Sequence, residues 1–492
     1  MTRPNVLIIK SDQHNARCLG VNGHRQVRTP HLDALASRGV NFTRAFVQNP
    51  ICTPSRMCYL TGQYAHNHGV FGLSGNERMP DGLPSLFSTF KAAGYRTGIV
   101  GHIHVDGSWL EPHCDLYRDL YDEARPGDTA YDRYLDAKGL KHLRDDGEYR
   151  GRSQILDACP SELAFEDTNE GYCLQSFFDL LEGTADGEPF LFQLDPLHPH
   201  QDYIPAPEFW ELYDGVELEL PPSADEDLSA KPPHQQRMIA RHHAYDWVFE
   251  PRTYQAGRLR KLQGYYGCIS QVDHMVGLAL QRLEQMGRAE NTIVVYCSDH
   301  GDFALEHGFL EKAPGISYDA ITRVPFIWSW PAGGIAEDLT IGELVESVDV
   351  FPTICALAGI EALDTIDGHD LAPMLRGGGG AVREFAVTEC PLSRTIRTKE
   401  WKLCHRPRGS FAGVDDAGEL YHVAEDPWEM HNRYADPACR EIRERLRRSL
   451  LDWTQLTTRY GNTWPHQPPG ADGKATLAGL RTLLDEEQVF YL

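Results

Sequence analysis

Four short runs, residues 6–9, 97–100, 190–194 and 292–297, are apolar on successive positions and rich in β-branched or aromatic side chains. Runs that lack polar alternation predict strands covered on both faces of a sheet. Between them the apolar positions recur at helical spacing. Thr29 and Pro30 predict an N-cap and first turn, with Leu32, Leu35 and Ala36 inward and Gly39 as the stop. Residues 84–93 carry Leu86, Phe87 and Phe90 and end at Gly94; residues 259–286 align Leu262, Ile269, Val272, Val276, Leu280 and Leu283 on one stripe. Strands alternating with helices predict an α/β fold in which a large, mostly parallel sheet lies between helices.

The pattern changes after the glycine run at 377–380, which marks a joint. Residues 384–388, 395–397, 401–405 and 419–423 predict short strands of a small antiparallel sheet, followed by a helix at 439–456. Two regions follow, a large α/β domain at 1–380 and a C-terminal subdomain at 381–492. Trp464, Phe490 and Tyr491 place aromatics on a closing tail, the basis for expecting a homo-oligomer.

Charge narrows the partners. Lys plus Arg number 47 against 71 Asp plus Glu, a net charge of −24 over 492 residues, which disfavours nucleic acid and anionic membranes. An anionic substrate then needs locally concentrated positive charge. The first apolar run is too short for a signal peptide core or a membrane span, so a cytoplasmic protein is expected. The 12 cysteines form no paired pattern and are expected to be mostly free and buried.

Ionisable residues follow each of the four strands. Asp12 and Gln13 come after the first, His102 and His104 after the second, Asp195, His198 and His200 after the third, and Asp299 and His300 after the fourth. Open α/β sheets bind ligands beyond the carboxyl ends of their strands, so these residues can converge without being close in sequence. Asp12, Asp299 and His300, with Cys52 and Gln13, make a candidate metal set. Oxygen ligands favour calcium, and the imidazole shifts the balance toward manganese or zinc. Taken singly, Asp12 and Asp299 read equally well as helix caps.

The segment CTPSRMCYLTG at 52–62 predicts a helix with Thr53 as N-cap, Pro54 at the first helical position and Gly62 as the stop. Cys52 then sits at a helix N-terminus, which favours an anion, and Arg56 returns to the same face one turn later. A buried structural cysteine and a thiolate nucleophile remain alternative readings of these residues.

Taken together, TPHLDALASRGVNF, CTPSRMCYLTGQY, GHIH, PHQDY, SDHGD with the following GFLEK, RVPFIW, VDVFPTICALAG and ELYHVAEDPWEMHN, in that order, resemble the type I, formylglycine-dependent sulfatases of the alkaline phosphatase-like superfamily. The resemblance implies that a formylglycine-generating enzyme oxidises Cys52 to an aldehyde. Its hydrate attacks the sulfur of a sulfate monoester and then expels sulfate. It further implies one divalent metal, generally calcium, held by Asp12, Asp299, His300, position 52 and Gln13. Arg56, His102 and Lys312 are then expected to neutralise the sulfate, His200 with Lys312 to protonate the leaving alcohol, and His104 to assist the second deprotonation. The chain departs from the family at two places: Gln13 replaces a second aspartate and His102 replaces a lysine. Phosphonate monoester hydrolases, which are similar to this family and share the cysteine maturation, also depart at the position of His102, so phosphonate or phosphodiester hydrolysis stands as an alternative, and an unmatured binding protein as another. His242, His243 and Asn76 match no motif securely. Polar insertions at 108–170 and 215–254 are expected to wall the substrate pocket as irregular loops and carry no readable code.

Overall fold

The computed structural model describes residues 3–72, 79, 82–121, 127–144, 158–244, 254–313, 315–391, 393–411 and 416–459. Eight strands form the main sheet in the spatial order Leu339–Ile341, Val40–Phe42, Phe326–Ser329, Thr292–Ser298, Asn5–Ser11, Phe190–Asp195, Arg96–Gly101, Leu116–Asp119. Phe326–Ser329 runs antiparallel to both of its neighbours, and every other pairing in this sheet is parallel. All four predicted strands are present, each extended by one to three residues.

The central strand explains the unbroken apolar pattern. Val6 and Ile8 enter one core with Ile99, Leu191, Ile293 and Val295, while Leu7 and Ile9 enter the opposite core with Val100, Phe192, Val294 and Tyr296. Successive residues point to opposite faces, so a sheet covered on both sides needs apolar side chains at every position. Truncating one such side chain to Ala typically costs about 2–5 kcal/mol.

The first core is closed by the helix Leu86–Ala92, which a reciprocal Ser85–Ser88 capping box starts, and by Val350–Ala358. The second is closed by Pro30–Ser37, Asn169–Glu182 and Tyr254–Gln285. Leu262, Ile269, Val272, Val276, Leu280 and Leu283 are all buried along the last of these, as their spacing predicts. Thr29 occupies the expected N-cap position, but its side chain makes no cap bond. Asp273, from the long helix, accepts instead from the amides of Leu32 at 2.7 Å and His31 at 3.2 Å. A buried carboxylate thereby takes over the capping work and pins two helices together.

The insertions are more regular than expected. Ala130–Ala137 is a helix with a Thr129–Asp132 capping box that buries Tyr131 and Leu135, and Pro233–Ala244 is a second helix. Local caps and one apolar stripe suffice to order these segments, where polarity alone suggested loops. The side chains of His242 and His243, and all of Asn76, Trp464, Phe490 and Tyr491, lie outside the described residues.

A four-stranded antiparallel sheet, Ala386–Cys390, Ser393–Arg397, Lys402–His405 and Glu419–Tyr421, closes the molecule. The helix Arg440–Thr457 covers it through Leu446, Leu450 and Trp453, and the same core includes Cys58, Tyr64 and Val348 from the larger part. Of the 12 cysteines, all but Cys114 and Cys159 are buried. Among the described residues no helix is long and apolar enough to cross a membrane.

Candidate active site

The carboxyl ends of Asn5–Ser11, Arg96–Gly101, Phe190–Asp195 and Thr292–Ser298 meet the N-terminus of the helix Cys52–Thr61. That helix begins two residues earlier than predicted. Ile51 is its N-cap, and the Thr53 hydroxyl donates at 2.9 Å to the carbonyl of His104. The hydroxyl expected to cap the helix thus ties it to the loop after the second strand. At the other end Gly62, at φ 67°, takes the left-handed turn that an L side chain rarely adopts.

Ligand atoms of Asp12, Cys52, Asp299 and His300 all lie within 4.8 Å of one another, and all four residues are buried. His300 Nδ1 lies 2.9 Å from the carbonyl of Gly301, an acceptor, so Nδ1 carries the proton and Nε2 presents a lone pair. Nε2 faces Cys52 Sγ at 3.2 Å, Asp12 Oδ1 at 3.7 Å and Asp299 Oδ1 at 3.8 Å. Asp12 Oδ1 is buried with no hydrogen-bond partner, which is costly unless something positive meets it. An orphaned carboxylate oxygen and an aimed imidazole lone pair at one point fit a divalent cation.

Arg56 is 1% exposed and bridges the two carboxylates. Its Nη2 donates to Asp12 at 2.5 Å, its Nε to Asp299 at 2.9 Å, and its Nη1 to the carbonyl of His102. Sequence spacing suggested direct neutralisation of the substrate. The structure gives each of the three nitrogens an acceptor within the protein, so Arg56 holds the acidic pair in place. Burial opposes the charge of Asp299, but His300 and Arg56 outweigh it and hold the carboxyl well below its usual range. Burial pushes the Cys52 thiol up to about 12, the reverse of what a thiolate nucleophile needs.

A second cluster stands beside the first. Lys312 Nζ donates to Gln13 Oε1 at 2.9 Å and contacts His200 Nε2 at 3.0 Å. His200 Nδ1 lies 2.6 Å from the carbonyl of Gln201, so Nδ1 carries the proton and Nε2 accepts from the lysine. Burial, and then the Lys312 ammonium, hold His200 down to about 3. Lys312 is therefore the group with a proton to give, and His200 steers it. Gln13, expected as a ligand, turns its oxygen to Lys312 and its amide nitrogen to Asp302 Oδ2 at 2.6 Å and Gln201 Oε1 at 2.9 Å. Asp302, Gln201 and Glu311 extend this cluster, and burial pushes the Glu311 carboxyl up to about 7.

His102 and His104 pack at 4.8 Å between ring centroids, and His102 lies 6.1 Å from His200. Nε2 of His102 is 3.5 Å from Asp12 Oδ2, and burial, with Arg56 next, keeps the ring well below the ordinary histidine range. It therefore carries no dependable positive charge, unlike a lysine at that place. Two residues after the third strand turn away. His198 is fixed by Glu170 and the carbonyl of Ile204, and Asp195 pairs with Lys10 at 3.3 Å.

A family model described as Sulfatase matches residues 4–360, and one described as N-sulphoglucosamine sulphohydrolase, C-terminal, matches residues 305–455. The ulvan-active sulfatase of Formosa agariphila is 27% identical over 457 residues, which cover 90% of this chain and 80% of that protein. A protein solved in complex with its substrate D-glucosamine-2-N,6-O-disulfate superposes with a TM-score of 0.75 at 21% identity, over 94% of this chain and 100% of that one. The phosphonate monoester hydrolase of Agrobacterium radiobacter gives a TM-score of 0.76 at 21% identity, over 92% of this chain and 96% of that one. At such identities the two solved structures speak for the fold alone.

Proposed function

The chain belongs to the sulfatase family, and from that premise we propose that it hydrolyses a sulfate monoester at the helix N-terminus that carries Cys52. It is a sulfuric ester hydrolase. The observation that carries the site assignment is the buried, unpartnered Asp12 Oδ1, aimed with His300 Nε2 at the position of Cys52.

Asp12, Asp299, His300 and position 52 would hold one divalent cation, calcium by family usage or manganese or zinc by the imidazole in the set. Bound there, the ion supplies charge neutralisation for the ester oxygens. Formylglycine at position 52 would supply, as its hydrate, one hydroxyl to attack sulfur and a second whose deprotonation releases sulfate. The protein's own groups do the rest. Arg56 keeps Asp12 and Asp299 ionised and in place. Lys312 gives its proton to the departing oxygen, a contribution of about a hundredfold to ten-thousandfold in rate. His200, neutral, holds the ammonium on line, and His104 takes the proton of the second hydroxyl.

One feature favours a second reading, phosphonate or phosphodiester hydrolysis: Gln13 and His102 leave the site poorer in fixed charge than the family pattern. Turnover of an aryl sulfate and a phenyl phosphonate by one preparation, with the mass of the peptide containing residue 52 and a metal analysis, separates the readings. Faster sulfate turnover by protein whose residue 52 has lost its sulfur is expected. Faster phosphonate turnover, or full activity with the thiol intact, would overturn the assignment.

A further inference from the structure

We infer that Glu311 is a positioning residue for the leaving-group acid, holding Lys312 on line through Gln201 and Gln13; the inference rests on the sulfatase reading above. Three hydrogen bonds run in one direction. Gln201 Nε2 donates to Glu311 Oε2 at 2.7 Å, Gln13 Nε2 donates to Gln201 Oε1 at 2.9 Å, and Lys312 Nζ donates to Gln13 Oε1 at 2.9 Å.

The direction matters because both middle members are amides. A carboxylate presents an acceptor whichever way it turns, whereas an amide turned end for end presents a donor. Were Gln13 reversed, its NH₂ would face the Lys312 ammonium and its oxygen would face the Asp302 carboxylate. Gln201 reversed would set its oxygen against Glu311. Glu311 therefore selects the orientation of Gln201, Gln201 with Asp302 selects that of Gln13, and Lys312 then meets a second acceptor besides His200 Nε2. A second aspartate in place of Gln13 would need no such director.

The backbone agrees with this arrangement. Glu311 is a non-glycine residue at φ 61°, a left-handed conformation that survives only where the surroundings hold it. Its amide donates to Asp302 Oδ1 at 3.1 Å, and the other oxygen of that same carboxylate fixes Gln13. The turn that places Lys312 and the relay that aims it thus share one anchor. The relay works for either protonation state of Glu311, since its carbonyl oxygen accepts in both.

The test is leaving-group dependence in the metal-loaded, matured enzyme. Glu311→Ala is expected to lower kcat about tenfold on an alkyl sulfate, whose departing alkoxide needs a proton, and by less than about twofold on p-nitrophenyl sulfate. Glu311→Gln, whose amide can present either its oxygen or its nitrogen to Gln201, should fall between wild type and Glu311→Ala on the alkyl sulfate and match wild type on p-nitrophenyl sulfate. Gln201→Ala leaves the 311 backbone untouched and should reproduce the same split should Glu311→Ala fold poorly. The double variant should be no worse than either single one. Equal losses on both substrates, or none on either, would overturn the inference while leaving the sulfatase reading intact. A wild-type enzyme inactive on every sulfate ester would remove that reading, and this inference with it.

Discussion

Under the C-terminal sheet, Asp319 accepts from Arg397 at 3.1 Å and Lys402 at 3.0 Å, while at the strand ends Asp12 keeps one buried oxygen with no donor at all. Both regions bury several charges, and both are built from Asp, Glu, Arg, Lys and His. At the seam, Lys402 also pairs with Glu429 at 2.6 Å, Lys231 with Glu226 at 2.9 Å and Arg406 with Glu419 at 2.6 Å, and the hydroxyl of Tyr421 donates to Glu419 at 2.8 Å. Each charge there is answered within the protein. At the strand ends Arg56 answers two carboxylates at once, which leaves an oxygen, an imidazole nitrogen and position 52 facing one another. The first arrangement joins two parts of a molecule. The second is built to be completed by something else.

Substitutions can break that contrast from either side. Asp12→Asn is expected to cost metal and at least about a thousandfold in kcat, with the thermal midpoint shifted by only a few degrees. Calorimetry beside a rate assay checks both halves, and a collapse in stability would make this carboxylate structural instead. Lys402→Met should do the opposite. It leaves Glu429 and one side of Asp319 unpaired and should cost about 3–5 kcal/mol in chemical denaturation, with kcat per folded molecule unchanged. Acid sharpens the comparison further. Burial works against the charge of Glu419, but Arg406 and Lys231 outweigh it and hold the carboxyl down to about 2, against 4.5 for an ordinary glutamate. A depressed folded value adds stability above pH 4.5 that is lost as pH falls from there toward 2. Stability measured along that range should fall more steeply for the wild type than for Glu419→Gln. The smallest effect is expected at the surface, where Arg38 and Glu284 pair at 3.0 Å with about half of each side chain exposed. Arg38→Ala should change stability by under about 0.5 kcal/mol, and a larger loss would mean that exposure is a poor guide to which pairs matter here.

Much of this could be read before any coordinates. The four central strands were legible because a sheet covered on both faces leaves an unbroken apolar signature, and helix spacing found the long helix to within a few residues at each end. The convergence of Asp12, Asp299 and His300 followed from their places after strand ends, and Cys52 joined them as the start of a helix in the segment that resembles the sulfatases. What escaped was the direction of individual side chains. Thr53 reads as a cap, yet its hydroxyl serves His104; Arg56 reads as a substrate contact, yet two carboxylates claim it. Asp302 and Glu311 stood inside the SDHGD and GFLEK segments, but no periodicity distinguishes a residue that aims its neighbour from one that faces solvent. Gln201 had no signal beyond its place beside His200.

Cys52 is only 1% exposed, shut in by the helix it begins and the carboxylates behind it. On the proposed reading, an enzyme that oxidises this side chain would have to reach it before the fold closes over it. Folding and maturation would then run as a race, and a chain that closed first would keep its thiol.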